Sequence, residues 1–192
     1  MSLTIPVILG TVRTGRESEH LARFVLARLA ARPGIESHLV DPAEHAFGDL
    51  EERAKDTADA HTPELRAFIE QMHAADGFVI VTPEYNFSFP GALKNLIDVT
   101  LKPWGRKPFG LVACGGISGG LRAIDALRQV VSGIGAVCVP AHVPVQFITK
   151  TFGPKGPLVD AEAWTKRIDV FLDEVLWYAE ALKAARAGPV QA

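Results

Sequence analysis

Gly77-Phe78-Val79-Ile80-Val81 runs directly into Thr82-Pro83-Glu84-Tyr85-Asn86-Phe87-Ser88-Phe89-Pro90-Gly91-Ala92-Leu93-Lys94-Asn95-Leu96-Ile97-Asp98. The first five residues are an apolar run too short for a helix. They read as a buried strand that delivers a polar, proline-punctuated loop to one edge of a sheet. Pro90 suits the first turn of a helix, along one side of which Leu93, Leu96, Ile97 and Leu101 recur. A strand that ends in a shaped loop and feeds a helix is where open α/β folds seat their ligands.

The same alternation extends outward in both directions. Residues 5–9 read as a first strand, and Ser18 reads as the cap of a helix on which Leu21, Phe24, Val25 and Leu29 recur at helical spacing. Residues 35–40 form a second strand with polar residues mixed in, as suits a place nearer the sheet edge. Residues 41–61 have no steady period and read as an ordered irregular excursion. Thr62-Pro63-Glu64 starts a helix with a capping side chain, a proline at the first position and an acid near the positive end of the dipole. Leu65, Phe68, Ile69 and Met72 give that helix its core face.

Residues 107–114 read as a fourth strand, followed by a glycine-rich turn into a helix carrying Ile124, Leu127 and Val131. Residues 136–139 read as a fifth strand, and residues 141–157, broken by prolines, as irregular. A last helix carries Trp164, Ile168, Phe171, Leu172, Val175 and Leu182, with Trp177 expected on the same apolar stripe. Strands alternating five times with amphipathic helices imply a parallel sheet covered on both faces, because each right-handed crossover returns a helix to a face.

The chain of 192 residues is expected to form one domain over 1–192, large enough to bury a core without staples. Its formal net charge of -2 gives no electrostatic reason to bind nucleic acid or an anionic membrane. Cys114 and Cys138, the only two cysteines, lie in apolar runs and read as reduced core residues, as in the cytoplasm. The start, Met1-Ser2-Leu3-Thr4-Ile5, lacks the features of a signal peptide. The uncharged stretch 129–149 is interrupted by Gly133, Gly135, Pro140 and Pro144, which argues against a membrane span. Six histidines show no metal-binding spacing, so no metal is expected.

Two further loops are rich in ligand chemistry. Gly10-Thr11-Val12-Arg13-Thr14-Gly15-Arg16-Glu17-Ser18 lies between a strand and a helix N-terminus, where hydroxyls, unsatisfied amides and arginines suit a phosphate. It is not a Walker loop, and no G-x-G-x-x-G occurs in the chain. Cys114-Gly115-Gly116-Ile117-Ser118-Gly119-Gly120-Leu121-Arg122 has enough glycine to let main chain approach a flat ligand edge.

The segment 82–98 resembles the T-P-E-Y-N-x-x-x-P-x-x-L-K-N-x-x-D signature of the NADPH-dependent FMN reductases. The resemblance implies a flavodoxin-like three-layer α/β sandwich whose five-stranded parallel sheet has the order 2-1-3-4-5, bringing the loops after strands one, three and four to one crevice. It implies that Pro83, Glu84, Tyr85, Asn86 and Phe87 lie against the flavin. The first loop is similar to the family's G-S-x-R-x-x-S phosphate loop, with Thr11 where serine is usual and Glu19 after Ser18. On that likeness Thr11, Arg13, Arg16 and Ser18 hold the phosphate of FMN. The glycine-rich loop nominates Gly115, Gly116, Ser118 and Gly119 at the ring.

The activity so implied passes hydride or electrons from NADPH or NADH through noncovalently bound FMN to a quinone, a free flavin or another small xenobiotic. The chemistry resides at flavin N5, so no side chain need be acid, base or nucleophile. Family resemblance also implies a homodimer or homotetramer. A flavodoxin-like electron carrier or flavin sensor without NAD(P)H activity is the alternative. A serine hydrolase is the second, because Gly116-Ile117-Ser118-Gly119-Gly120 fits G-x-S-x-G, although His142 and Asp125 are poorly placed to complete a triad.

Overall fold

The computed structural model describes residues 2–45, 47, 53–152 and 158–188. The first expected strand is two short pieces, β1 (Leu3–Thr4) and β2 (Val7–Leu9), because Pro6 has no N–H to continue a ladder. The second splits likewise into β3 (Ile35–Glu36) and β4 (Leu39–Val40), and at the break the Ser37 hydroxyl donates to the Ile5 carbonyl at 2.6 Å. β1 pairs with β3 in a separate two-stranded sheet. The main sheet adds β5 (Phe78–Pro83), β6 (Pro108–Gly115) and β7 (Val137–Gln146), and runs β4-β2-β5-β6-β7 with every pair parallel. The expected order is therefore not matched piece for piece, since the first two strands are each divided, while the flavodoxin-like class holds.

Helices cover both faces. On one side lie α1 (Ser18–Ala30) and α6 (Ala161–Ala187), whose Leu21, Val25, Leu29, Ile168, Leu172 and Val175 are fully buried against Val7, Leu9, Val79 and Val81. On the other lie α2 (Pro63–Ala74), α3 (Gly91–Asp98) and α4 (Leu121–Gly133), set against Ile8, Phe78, Ile80 and Leu111. Successive residues of each strand serve opposite cores, as the two-residue period requires. α2 starts as its sequence dictates: the Thr62 side chain accepts from the Leu65 amide at 3.1 Å and Pro63 opens the first turn. In the excursion 41–61, short 3₁₀ turns occupy Pro42–Glu44 and Thr57–Asp59, while residues 46 and 48–52 lie outside the described residues.

Leu101 does not lie on α3, which ends at Asp98, and three more expectations need correction. Ser18 does not cap α1; Glu17 is the boundary residue and Ser18 begins the helix. The fifth strand does not stop at 139 but continues to Gln146 through Pro140 and Pro144, with a register shift opposite Phe109 and Leu111. Prolines are tolerated there because β7 is an edge strand. Their carbonyls accept from Arg128 and Arg167, each at 3.0 Å. Finally, Trp177 is 63 % exposed and stands edge-on to Tyr178, whereas Trp104 is completely buried. A short α5 (Ile148–Thr151) follows β7, and residues 153–157 of the expected irregular stretch lie outside the described residues.

Candidate functional site

The site is built at the C-terminal ends of β2, β5 and β6. Leaving β2, the chain passes so close to β5 that a side chain at Gly10 would put its Cβ 2.5 Å from Thr82 Oγ1 and 3.0 Å from the Thr82 Cα, which only glycine avoids. Thr11 follows, buried, and its hydroxyl is 3.0 Å from the Tyr85 hydroxyl. The Arg13 amide donates to the Thr11 hydroxyl at 3.3 Å, while the Arg13 side chain is exposed and makes no bond among the described residues. Ser18, at the first position of α1, is 3 % exposed and its Oγ has no hydrogen-bond partner among the described residues. A buried hydroxyl of this kind at a helix N-terminus fits an anionic oxygen, while the next two amides, of Glu19 and His20, already donate to the Arg16 and Glu17 carbonyls at 3.2 Å. A surface concavity of about 510 Å³ opens beside this loop along Arg13, Thr14, Glu17 and His20.

Arg16 is held differently. Its guanidinium donates to Glu19, to the Thr11 carbonyl at 2.8 Å and, through two nitrogens, to Asp41. Burial opposes its charge, yet hydrogen bonds and attraction from Asp41 and Glu19 outweigh that and raise its pKa.

The loop after β5 contains a tight turn in which the Tyr85 amide donates to the Ser88 carbonyl at 2.8 Å and the Ser88 amide returns the bond at 3.0 Å. Its two central residues have positive φ, +48° at Asn86 and +71° at Phe87. Asn tolerates that region, but a bulky residue there is strained. Phe87 is 71 % exposed, and its ring lies 4.1 Å from the Arg122 guanidinium carbon. Pro83 ends β5 and pairs with Cys114.

Glu84 joins this loop to the next one. Its carboxylate accepts from Ser118 Oγ at 2.7 Å, from the Arg122 amide at 3.2 Å and from Arg122 Nη1 at 3.1 Å. Burial alone would raise the Glu84 pKa, but these Ser118 and Arg122 bonds prevail and hold it below the ordinary carboxylate range. In the glycine-rich loop, Gly120 has φ +90°, and a Cβ there would lie 2.6 Å from that of Ala113. Gly119 is buried with φ +63°, Gly115 is half-buried and Gly116 is exposed. The unexpected extension of β7 braces the loop, since the Val145 amide donates to the Gly119 carbonyl at 3.0 Å and the Phe147 amide to the Gly115 carbonyl at 2.8 Å.

The three loops nominated from sequence are thus joined, Thr11 to Tyr85 and Glu84 to Ser118. Sequence reading missed Asp41, Arg122 and the end of β7. Arg122 closes the quoted glycine-rich segment, so its nearness was visible, whereas nothing local marks Asp41 as a partner for Arg16. The arrangement does not support a Ser118 nucleophile. Ser118 donates to a carboxylate, while His142 Nδ1 lies 3.1 Å from the Pro140 carbonyl and 3.0 Å from Arg128, and Asp125 lies on α4.

A family model of NADPH-dependent FMN reductases matches residues 3–150, most of the chain. The chain belongs to this family. Among its relatives, a 2-hydroxy-1,4-benzoquinone reductase of Burkholderia sp. is 39 % identical over 116 residues, 57 % of this chain and 56 % of that protein. The chain therefore aligns with little more than half of that relative. An NAD(P)H-dependent FMN reductase of Schizosaccharomyces pombe is 33 % identical over 85 % of this chain and 82 % of its own length. Of solved structures, the flavoenzyme NAD(P)H:(acceptor) oxidoreductase FerB from Paracoccus denitrificans superposes with a TM-score of 0.73, covering 93 % of this chain and 98 % of that one. At 22 % identity that likeness concerns the fold. Among the described residues no helix is long and apolar enough to cross a membrane.

Proposed function

We propose that this FMN reductase carries reducing equivalents from NADPH or NADH to a quinone or similar small acceptor, with FMN held by the three joined loops. The observation that carries the reading is the bonded series linking the ends of β2, β5 and β6, with the buried Ser18 hydroxyl left unpartnered beside it. When bound, FMN supplies the redox chemistry, taking hydride from a nicotinamide and giving electrons to an acceptor.

The chain's own groups bind and orient. Thr11, Arg13 and Ser18 hold the phosphate, and the Arg13 guanidinium has no other partner among the described residues. The main chain of Pro83, Glu84, Tyr85, Asn86 and Phe87 borders the ring on one side. Gly115, Gly116, Ser118 and Gly119 border it as well, the three glycines letting backbone come close. Glu84 stays ionised between Ser118 and Arg122 and fixes the separation of the two loops; it moves no proton. Phe87, exposed at the tip of its turn, contacts the acceptor, and a flat aromatic acceptor such as a quinone suits its ring. The quinone named for the Burkholderia relative supports that acceptor class.

The same reading places the protein in the cytoplasm as a homodimer or homotetramer, in keeping with free Cys114 and Cys138. The test is to denature the purified protein, identify what it releases, and follow the visible spectrum anaerobically with NADPH or NADH and then quinone. Release of FMN, bleaching by a reduced nicotinamide and recolouring by quinone are expected. Binding without bleaching by either nucleotide would favour an electron carrier or sensor.

A further inference from the structure

We infer that Arg16 is not a phosphate ligand but the brace that sets the shape of the phosphate loop, and that Asp41 is its other half. The inference rests on the assignment of the 10–18 loop to the flavin phosphate. Arg16 sits in a conventional place for an anion-binding arginine, yet its side chain is only 14 % exposed and Nε, Nη1 and Nη2 all have partners. Two carboxylates face this guanidinium, Asp41 and a Glu19 that is shared with Arg23, so the two arginines and two acids together present no net positive charge to a phosphate.

Asp41 is itself fixed. Its side chain is 8 % exposed, and besides Arg16 it accepts from the Ala43 amide at 2.9 Å, capping the short turn Pro42–Glu44. Turning Arg16 toward a phosphate would strand Asp41 as a buried, unpaired carboxylate, which costs more than the new contact returns. The Arg13 side chain has no such tie among the described residues.

The brace also explains how the loop keeps its form. Arg16 Nη1 holds the Thr11 carbonyl at 2.8 Å, and the Thr11 hydroxyl meets the Tyr85 hydroxyl and the Arg13 amide. One continuous series, Asp41 to Arg16 to Thr11 to Tyr85, therefore connects the loops after β4, β2 and β5. Arg16 is a positioning residue acting through Thr11. Only a planar fork can hold two oxygens of Asp41 and the Thr11 carbonyl together, so lysine is no substitute.

The test uses the full chain stripped of flavin and titrated separately with FMN and riboflavin, comparing Arg16→Gln, Arg16→Lys, Asp41→Asn and the double variant Arg16→Gln/Asp41→Asn. Each single variant should weaken FMN binding by about tenfold to a hundredfold, with riboflavin affinity little changed and the double variant no worse than either single one. In the flavin-free protein, amide exchange across residues 11–18 should quicken in all of them. Any of the following results would overturn the brace. Asp41→Asn could leave FMN binding unchanged or tighter while Arg16→Gln weakens it; Arg16→Lys could restore affinity; or the two losses could add. Equal losses for FMN and riboflavin would also reject it, marking a general folding role. Should the unaltered chain bind no FMN, the parent assignment of the loop fails instead, and unchanged amide exchange would then reject the brace on its own terms.

Discussion

Replacing Glu84 with glutamine keeps the side chain's shape and removes its charge. The carboxylate is 9 % exposed and accepts three hydrogen bonds, from Ser118 Oγ, the Arg122 amide and Arg122 Nη1. An amide offers one acceptor oxygen, so at least one of these donors must face an NH₂ group. The shielded Ser118 bond to a charged partner contributes about 1.5 to 3 kcal/mol. Arg122 is 50 % exposed, so its ion pair, screened by water, adds at most about 1 kcal/mol. The glutamine carbonyl recovers roughly 1 kcal/mol, leaving a net loss of about 2 kcal/mol. For a 192-residue chain that lowers Tm by roughly 4 to 8 °C. Because the Glu84 pKa is depressed in the fold, its stabilisation is complete above the ordinary carboxylate range and fades as pH falls through that range and below. Thermal unfolding of flavin-free protein, followed by circular dichroism from pH 7 downward, should show a gap between the two proteins that closes on acidification. No gap at pH 7, or one that widens with acid, would refute the reasoning.

Arg13→Ala should weaken FMN binding by about tenfold to a hundredfold in fluorescence titrations while sparing riboflavin, and a loss below about threefold would remove Arg13 from the phosphate site. Steady-state rates with NADPH and a quinone should give parallel double-reciprocal lines, as one shared crevice requires, whereas intersecting lines would indicate separate sites. Phe87→Ala should change the ratio of kcat/KM between acceptors more than it changes FMN affinity; the reverse would place the ring against the cofactor alone. Lys107 is 6 % exposed, with Nζ donating to the Met72 and His73 carbonyls, and burial, aided by Arg186, pushes its pKa down to about 8. Between about 8 and the free value of about 10.4 the unfolded chain binds more protons, so this group adds stability as pH rises, and urea titrations of Lys107→Met should lack that rise.

What could be read from sequence was local. Thr62-Pro63-Glu64 states its helix start within three residues, and the apolar run before Pro83 states its strand, so both are found in place. The three loops were legible for the same reason: strand, glycine or proline, and helix follow one another without long-range information. Pro140 and Pro144 misled because proline breaks a central strand, and nothing nearby says that this strand lies at an edge. Ser18 looks like a cap, yet the helix begins on it, leaving its hydroxyl buried. Asp41 and Arg16 are far apart in sequence and become partners only when β4 lies beside β2. Trp177 faces outward although its type suggests the core, and its packing against Tyr178 is invisible to a helical period.

The proline-bearing β7 has a consequence for how copies of this chain can meet. An open sheet edge ordinarily offers alternating donors and acceptors on which another strand can template itself, the first step of fibrous aggregation. Here Pro140 and Pro144 supply no donor, and Arg128 and Arg167 already occupy their acceptors. A foreign strand approaching this side finds neither half of a ladder at those two places. Self-association is thereby steered away from sheet continuation along β7 and toward contacts between helices and loops, and the crowded, transiently opened states of the chain lose one route to amyloid-like growth.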